Sequence, residues 1–119
     1  MLKITMILLS IALVAIPRHA RADADVDKAK AVISAQIDKI KHGTLDDIRA
    51  QFTKRLRDRI TQDIVDKAKK QADSVTIDEL VASAARSGDG IKIKMKNGRT
   101  LTTLVQEDGE WRADTIWFK

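Results

Sequence analysis

Several of the side-chain types that most often act as a nucleophile or a general base are absent or rare in this 119-residue sequence. The chain has no cysteine and no tyrosine, and its two histidines are His19 and His42. A general base must be held in a desolvated site, and Asp114 is the best candidate among the carboxylates of the predicted strands. A nearby Arg112 or lysine favours a surface ion pair for Asp114 instead. The sequence therefore favours a non-catalytic protein, with an enzyme as the alternative.

Metal and cofactor motifs do not appear. No histidine or cysteine spacing fits a zinc site, and the aspartate pairs do not follow the calcium-loop pattern. The stretch "GDG" at 88–90 predicts a turn rather than a phosphate-binding loop. We expect no catalytic residue, no metal and no cofactor.

The aromatic residues are concentrated at the end of the chain. Trp111, Trp117 and Phe118 lie in the last nine residues, and Phe52 is the fourth aromatic residue. Each tryptophan would bury on the order of 150–250 Å². One interpretation makes both rings anchors of the core. The other places one ring at a cavity between helices and sheet.

The N-terminus has the features of a secretory leader. Lys3 precedes an uncharged run, "ITMILLSIALVAIP", and Ala20 and Ala22 form an A-x-A cleavage site. The run is shorter than the roughly 20 residues that span a bilayer. We predict cleavage after Ala22, secretion or periplasmic location, and no stable membrane insertion afterwards.

Removal of residues 1–22 changes the charge of the chain. The leader contains three of the 22 basic residues and no acidic residue, which leaves 19 basic against 17 acidic side chains and a net charge of +2. That excess is small for a nucleic-acid-binding domain. The remaining residues, 23–119, are expected to form a single domain, and no nucleic acid is expected as a partner.

Helices are predicted in the first half of this domain. A first helix of about 26–41 has apolar residues three or four positions apart, namely Val26, Ala29, Ile33, Ile37 and Ile40. Thr44 resembles the N-cap of a second helix that continues to Phe52. A third apolar series contains Leu56, Ile60, Ile64, Ala68 and Ala72, and Thr61 could cap a restart within it.

Strands are predicted in the second half. Alternating residues followed by Asn97-Gly98, and a second turn at Asp108-Gly109, predict two hairpins. The stretch 74–88 is less clear and favours one more strand, giving an antiparallel meander of about four. Helices followed by such strands indicate an α+β domain.

Two-residue turns predict a register and two faces. The inner face would hold the Ile/Met stripe and the candidate ligand-binding residues Trp111, Trp117, Thr100, Thr102 and Thr115. The outer face would hold lysines, Arg112 and Asp114, together with an apolar cluster. A contiguous apolar cluster is typical of an interface, so a homodimer is possible through Leu101, Val105, Ile116 and Phe118.

The complete pattern resembles a known superfamily. A helix ending in "KHG", the segments "TLDDIRAQF" and "RLRDRITQDIVDKAKK", and the final "NGRTLTTLVQEDGEWRADTIWFK" are similar to the nuclear-transport-factor-2-like, cystatin-like cone superfamily over about residues 25–118. The small secreted bacterial members of uncharacterised function are most similar. The resemblance implies a curved, cone-like sheet around helices, with a pocket at the wide end.

The superfamily includes isomerases, dehydratases, polyketide cyclases, ligand binders and dimerisation modules. Its enzymes usually place Asp, His or Tyr in the pocket, and this chain departs from that pattern. We therefore predict a secreted or periplasmic non-catalytic domain that binds a small apolar ligand or an envelope protein. The alternatives are a small isomerase or cyclase using Asp114, or a purely structural dimer module.

Overall fold

A computed structural model describes the backbone of residues 18–118 and the side chains of residues 24–118. Most of the predicted leader, residues 1–17, lies outside the described part, as do the side chains around its expected cleavage after Ala22. Within residues 18–118, five α-helices precede four strands: α1 (Arg18–His42), α2 (Leu45–Arg49), α3 (Lys54–Arg57), α4 (Gln62–Gln71), α5 (Ile77–Leu80), β1 (Ser83–Ser87), β2 (Gly90–Lys94), β3 (Thr100–Glu107) and β4 (Glu110–Ala113).

The long helix α1 covers the sheet. Its predicted apolar face is buried at Ala29, Ile33 and Ile40, while Val26 and Ile37 are half-buried against the core. The helix begins at Arg18, ahead of the predicted start near residue 26. Buried Gln36 lies on the same face, because it is three residues after Ile33 and four before Ile40.

Short helices connect α1 to the sheet. Thr44 caps α2 in a reciprocal capping box with Asp47, as the sequence predicted for the N-cap. Thr61 caps α4, so the third predicted helix is divided at that residue, and the 3₁₀ helix Ala72–Ser74 extends α4. One more strand was the favoured interpretation of the unclear stretch 74–88. Thr76 caps α5 within it, and the strand starts at Ser83.

The sheet is an open antiparallel meander in the order β1-β2-β3-β4. This arrangement confirms the predicted α+β class, in which helices pack on about four antiparallel strands. The loop between β3 and β4 contains Asp108 and Gly109, both with positive φ (56° and 81°), as a type I′ turn requires. The predicted pairs of Leu104 with Ala113 and of Gln106 with Trp111 are therefore formed.

The loop between β2 and β3 is one residue longer than predicted. The amide of Gly98 donates to Met95 O and the amide of Met95 donates to Arg99 O, which describes a turn followed by Gly98 in the left-handed region. Met95 therefore does not lie opposite Thr100, as a two-residue loop would require.

A β-bulge at Leu101 then restores the predicted register. Lys94 pairs with Thr100 and Ile93 pairs with Thr102, which leaves Leu101 as the additional residue on β3. A bulge places two neighbouring side chains on one face, and both Leu101 and Thr102 are buried. The predicted location of Leu101 on the outer face is therefore wrong.

The other members of the predicted outer apolar cluster are also redistributed. β4 ends at Ala113, so the strand alternation no longer applies to Ile116 and Phe118. Ile116 is buried in the core, and Phe118 packs edge-on against Phe52 with 5.4 Å between ring centroids. Only Val105 remains half-buried on the outer face, so the contiguous patch predicted for a homodimer is not formed.

The inward position of Leu101 can be tested by truncation. Leu101→Ala should lower the free energy of unfolding by about 2–3 kcal/mol, because it opens a cavity in the core. Val105→Ala, three residues beyond the bulged pair and on the outer face, should cost less than about 1 kcal/mol. Urea denaturation of both variants measures the difference, and equally small losses would contradict the bulge.

Candidate functional site

The candidate site is a small apolar cavity between the end of α1, the α4 segment and the C-terminal residues. Its volume is about 110 Å³ and it is partly open to solvent. It is lined by apolar side chains from both halves of the chain, among them Ile37, Ile40, Ala72, Leu80, Met95 and Trp117. Exposed Gln71 is the single polar residue of the lining. The cavity therefore suits a short apolar group and offers no carboxylate or imidazole to it.

The cavity forms because α1 does not cover all of the apolar side chains that α4 and the C-terminal residues turn toward it. Ala68 and Ala72 are one helical turn apart on α4 and its extension, and their small side chains leave the space unfilled. Leu101, turned inward by the bulge, forms part of another wall. The sequence predicted Ile37, Ile40, Ala68 and Ala72 as buried helix residues, but it did not predict that they converge.

Trp117 lines this cavity. Its indole Nε1 donates a hydrogen bond of 2.7 Å to Gln36 Oε1, and its ring packs edge-on against Phe118 with 5.3 Å between centroids. Gln36 is almost fully buried, at 1% exposure, and its Nε2 donates to Gln51 O. The bond is therefore a desolvated polar contact that holds the C-terminal residues against α1.

Trp111 lies elsewhere. It is half-buried at the start of β4, where the Arg86 guanidinium lies 5.6 Å from the ring centroid. Arg86 also donates to Asp25, at 3.1 Å. Trp111 borders two shallow, more open hollows and does not line the cavity that contains Trp117. The structure thus separates the two tryptophans that the sequence placed in one pocket.

The three threonines do not form part of the cavity wall either. Thr115 donates to Thr102 Oγ1 at 2.8 Å, so these two hydroxyls satisfy one another. Thr102 is buried on the inner face of the sheet, while Thr115 is exposed. Thr100 is exposed at the start of β3, opposite Lys94. Of the five predicted binding residues, the structure brings Thr102 and Thr115 together and leaves Trp117 alone in the cavity.

The predicted set of binding residues did not include Phe118 and Gln36. Phe118 was assigned to the outer face because strand alternation was extended past Ala113. Gln36 had a detectable signal, since its spacing from Ile33 and Ile40 places it on the apolar stripe of α1.

Asp114, the candidate base, is held in an ion pair outside the cavity. Its carboxylate accepts hydrogen bonds from Arg55 Nε at 3.0 Å and from Thr53 Oγ1 at 2.9 Å. Burial opposes ionisation of Asp114, but the hydrogen bonds from Arg55 and Thr53 together outweigh it and hold the pKa of its carboxyl below the ordinary value. A base with a lowered pKa accepts protons poorly near neutral pH.

A second set of ion pairs joins α3 to the β3–β4 hairpin. Arg112 is buried on the outer face and contacts Glu107 at 2.8 Å, and Lys54 contacts Asp108 at 3.3 Å. Arg112 also lies 3.5 Å from Glu110. Because acidic and basic groups are balanced within this network, we interpret it as a structural connection.

Between residues 24 and 118, no three histidine, aspartate or glutamate side chains are grouped as a metal site would need. Within residues 18–118, no helix combines the length and apolar character that crossing a membrane requires.

Comparisons with known proteins gave no significant match: no family model, no curated protein and no solved structure resembles the chain closely enough. The resemblance to the cone superfamily therefore stays a prediction. Any functional conclusion must come from the geometry of the chain itself.

The Gln36–Trp117 hydrogen bond predicts different effects for the two tryptophans. Trp117→Phe leaves Gln36 Oε1 buried without a donor, so the free energy of unfolding should fall by about 1–3 kcal/mol. Trp111→Phe, the matched control, loses a contact with an exposed arginine and should cost at most about 1 kcal/mol. Urea denaturation decides the point, and equal losses would argue against a buried polar anchor.

The lowered pKa of Asp114 predicts a pH dependence of stability. The folded-state pKa lies below the unfolded value, so the ion pair stabilises the protein above about pH 4 and is lost as pH falls further. Asp114→Asn should cost about 1 kcal/mol at neutral pH, because the pair is partly screened by solvent, and nearly nothing in strong acid.

Unfolding by urea at a series of pH values measures that loss for Asp114→Asn. The control is Asp58→Asn, since Asp58 is exposed at the end of α3. If the free energy of unfolding of Asp114→Asn fell with pH in the acid range as steeply as that of the unmodified protein, Asp114 would have no such role.

Proposed function

We propose that this protein is a non-catalytic binding protein of the cell envelope that accommodates a small apolar group between α1, α4 and its C-terminal residues. The observation that carries the proposal is the cavity of about 110 Å³ with a nearly complete apolar lining. Apolar cavities of comparable size exclude water and bind apolar molecules. Export to the envelope is supported by the predicted leader at residues 1–22.

The volume limits the occupant. Pockets for drug-sized ligands are about 300–1,000 Å³, several times larger than this cavity. A short straight alkyl group is therefore a better fit than a ring system or a complete lipid. The partly open mouth would allow a longer or polar remainder of the ligand to extend into solvent past Gln71.

The enzymatic alternative has less support. The register of the β3–β4 hairpin does not slip, so Asp114 stays outside the cavity and in its ion pair with Arg55. The cavity lining itself contains no group that titrates. Without an acid or base at the apolar group, the arrangement supports binding rather than isomerase or cyclase chemistry.

Binding can be followed through the fluorescence of Trp117. The chain has two tryptophans, so Trp111→Phe leaves Trp117 as the sole reporter. Titration with straight-chain alkanols of increasing length should give affinities that rise about fourfold per methylene and then level off. The plateau marks the number of carbons that the cavity holds.

A blocking variant makes this test specific. In the same background, Ala72→Leu fills the cavity and should weaken alkanol binding at least about tenfold, while thermal denaturation verifies the fold. Ala35→Leu makes the same change on the exposed side of α1 and should leave affinity unchanged. Equal affinities for all three proteins, or no saturable signal at all, would refute the proposed binding site.

A further inference from the structure

The β2–β3 hairpin is basic over most of its length, and its one acidic residue, Glu107, ends β3. Between Gly90 and Gln106 the sequence has four basic side chains and no aspartate or glutamate. All four are exposed: Lys92, Lys94, Lys96 and Arg99. Lys92 and Lys94 are two positions apart on β2, so both project from the outer face while Ile91 and Ile93 are buried beneath α1.

These charges are not neutralised by neighbouring groups. Within residues 24–118, the ion pairs at 4.0 Å or less involve none of the four side chains. At the other end of the same sheet, Arg112 is surrounded by Glu107, Asp108 and Glu110. Asp114 is paired with Arg55. Glu79 lies beside Lys96, since its carbonyl accepts from the Lys96 amide, but the ion pairs within residues 24–118 do not include it. On the outer face, opposite charges are therefore paired at the end that contains Arg112, whereas the end that contains Lys92 and Lys94 is positive.

The side chains beside the two strand lysines are small. Lys92 lies between Ala85 on β1 and Thr103 on β3, and Lys94 lies between Ser83 and Thr100. Since these neighbours are small, the two ammonium groups project above their surroundings. Positive groups that project past small neighbours complement an extended layer of negative charge.

We propose that this surface, formed by Lys92, Lys94, Lys96 and Arg99, docks the protein onto the anionic headgroups of a lipid bilayer. Sheets that bind single-stranded nucleic acid present aromatic side chains for stacking, and the residues beside Lys92 and Lys94 are Ser, Ala and Thr. Each basic residue near an anionic membrane adds measurably to adsorption. With no large apolar side chain on this surface, the contact is electrostatic and does not insert into the bilayer.

Vesicle sedimentation tests the proposal on protein recovered from an export-competent host. Binding should occur with vesicles containing phosphatidylglycerol, be absent with phosphatidylcholine alone, and disappear at about 1 M salt, where the Debye length is about 3 Å. Lys92→Gln/Lys94→Gln should weaken partitioning about 25-fold, at about fivefold per lysine.

The control removes the same charge from another surface. Lys67→Gln/Lys69→Gln lies on α4, where residues 62–73 contain three lysines flanked by three aspartates. This variant should bind nearly as well as the unmodified protein, and thermal denaturation should show that both variants are folded. Equal weakening by both pairs, equal binding to neutral vesicles, or binding to a soluble polyanion such as heparin but not to vesicles would each overturn the proposal.

Discussion

Two backbone hydrogen bonds at Ala113 determine where β4, the last strand of the sheet, ends. The amide of Ala113 donates to Gln51 O and the amide of Thr53 donates to Ala113 O, which joins the residues before α3 to the edge of β4. These bonds satisfy the edge amide and carbonyl of Ala113, the residue at which β4 ends. The following residues leave the sheet and cross toward α1, and the apolar cavity exists because of this change of direction.

The C-terminal residues after Ala113 are held by contacts at several points. Asp114 is paired with Arg55, Thr115 is bonded to Thr102, and Trp117 donates to buried Gln36. Each contact joins residues far apart in the chain, so forming them restricts many backbone torsions at once. The position of Trp117 beside the cavity therefore depends on the packing of α1, β3 and α3 together.

The two faces of the sheet have different physical characters. The inner face is formed by Ile91, Ile93 and Leu104, all fully buried, and is covered by α1. The outer face has no helix over Lys92 and Lys94 and relies on charge for its solubility. An apolar site on one side and a basic surface on the other can operate independently, because neither shares a residue with the other.

The sequence by itself determined the class of the fold, the caps Thr44 and Thr61, the Asp108-Gly109 turn and the buried stripe of β2. These features depend on periodicity and on hydrogen bonds between residues a few positions apart, which a local pattern contains. Only the tertiary structure decided that Leu101 and Ile116 face inward, that Trp111 and Trp117 are separated, and that Gln36 binds an indole. A bulge or the end of a strand reverses the alternation of every later residue, and its position is set by packing against distant segments.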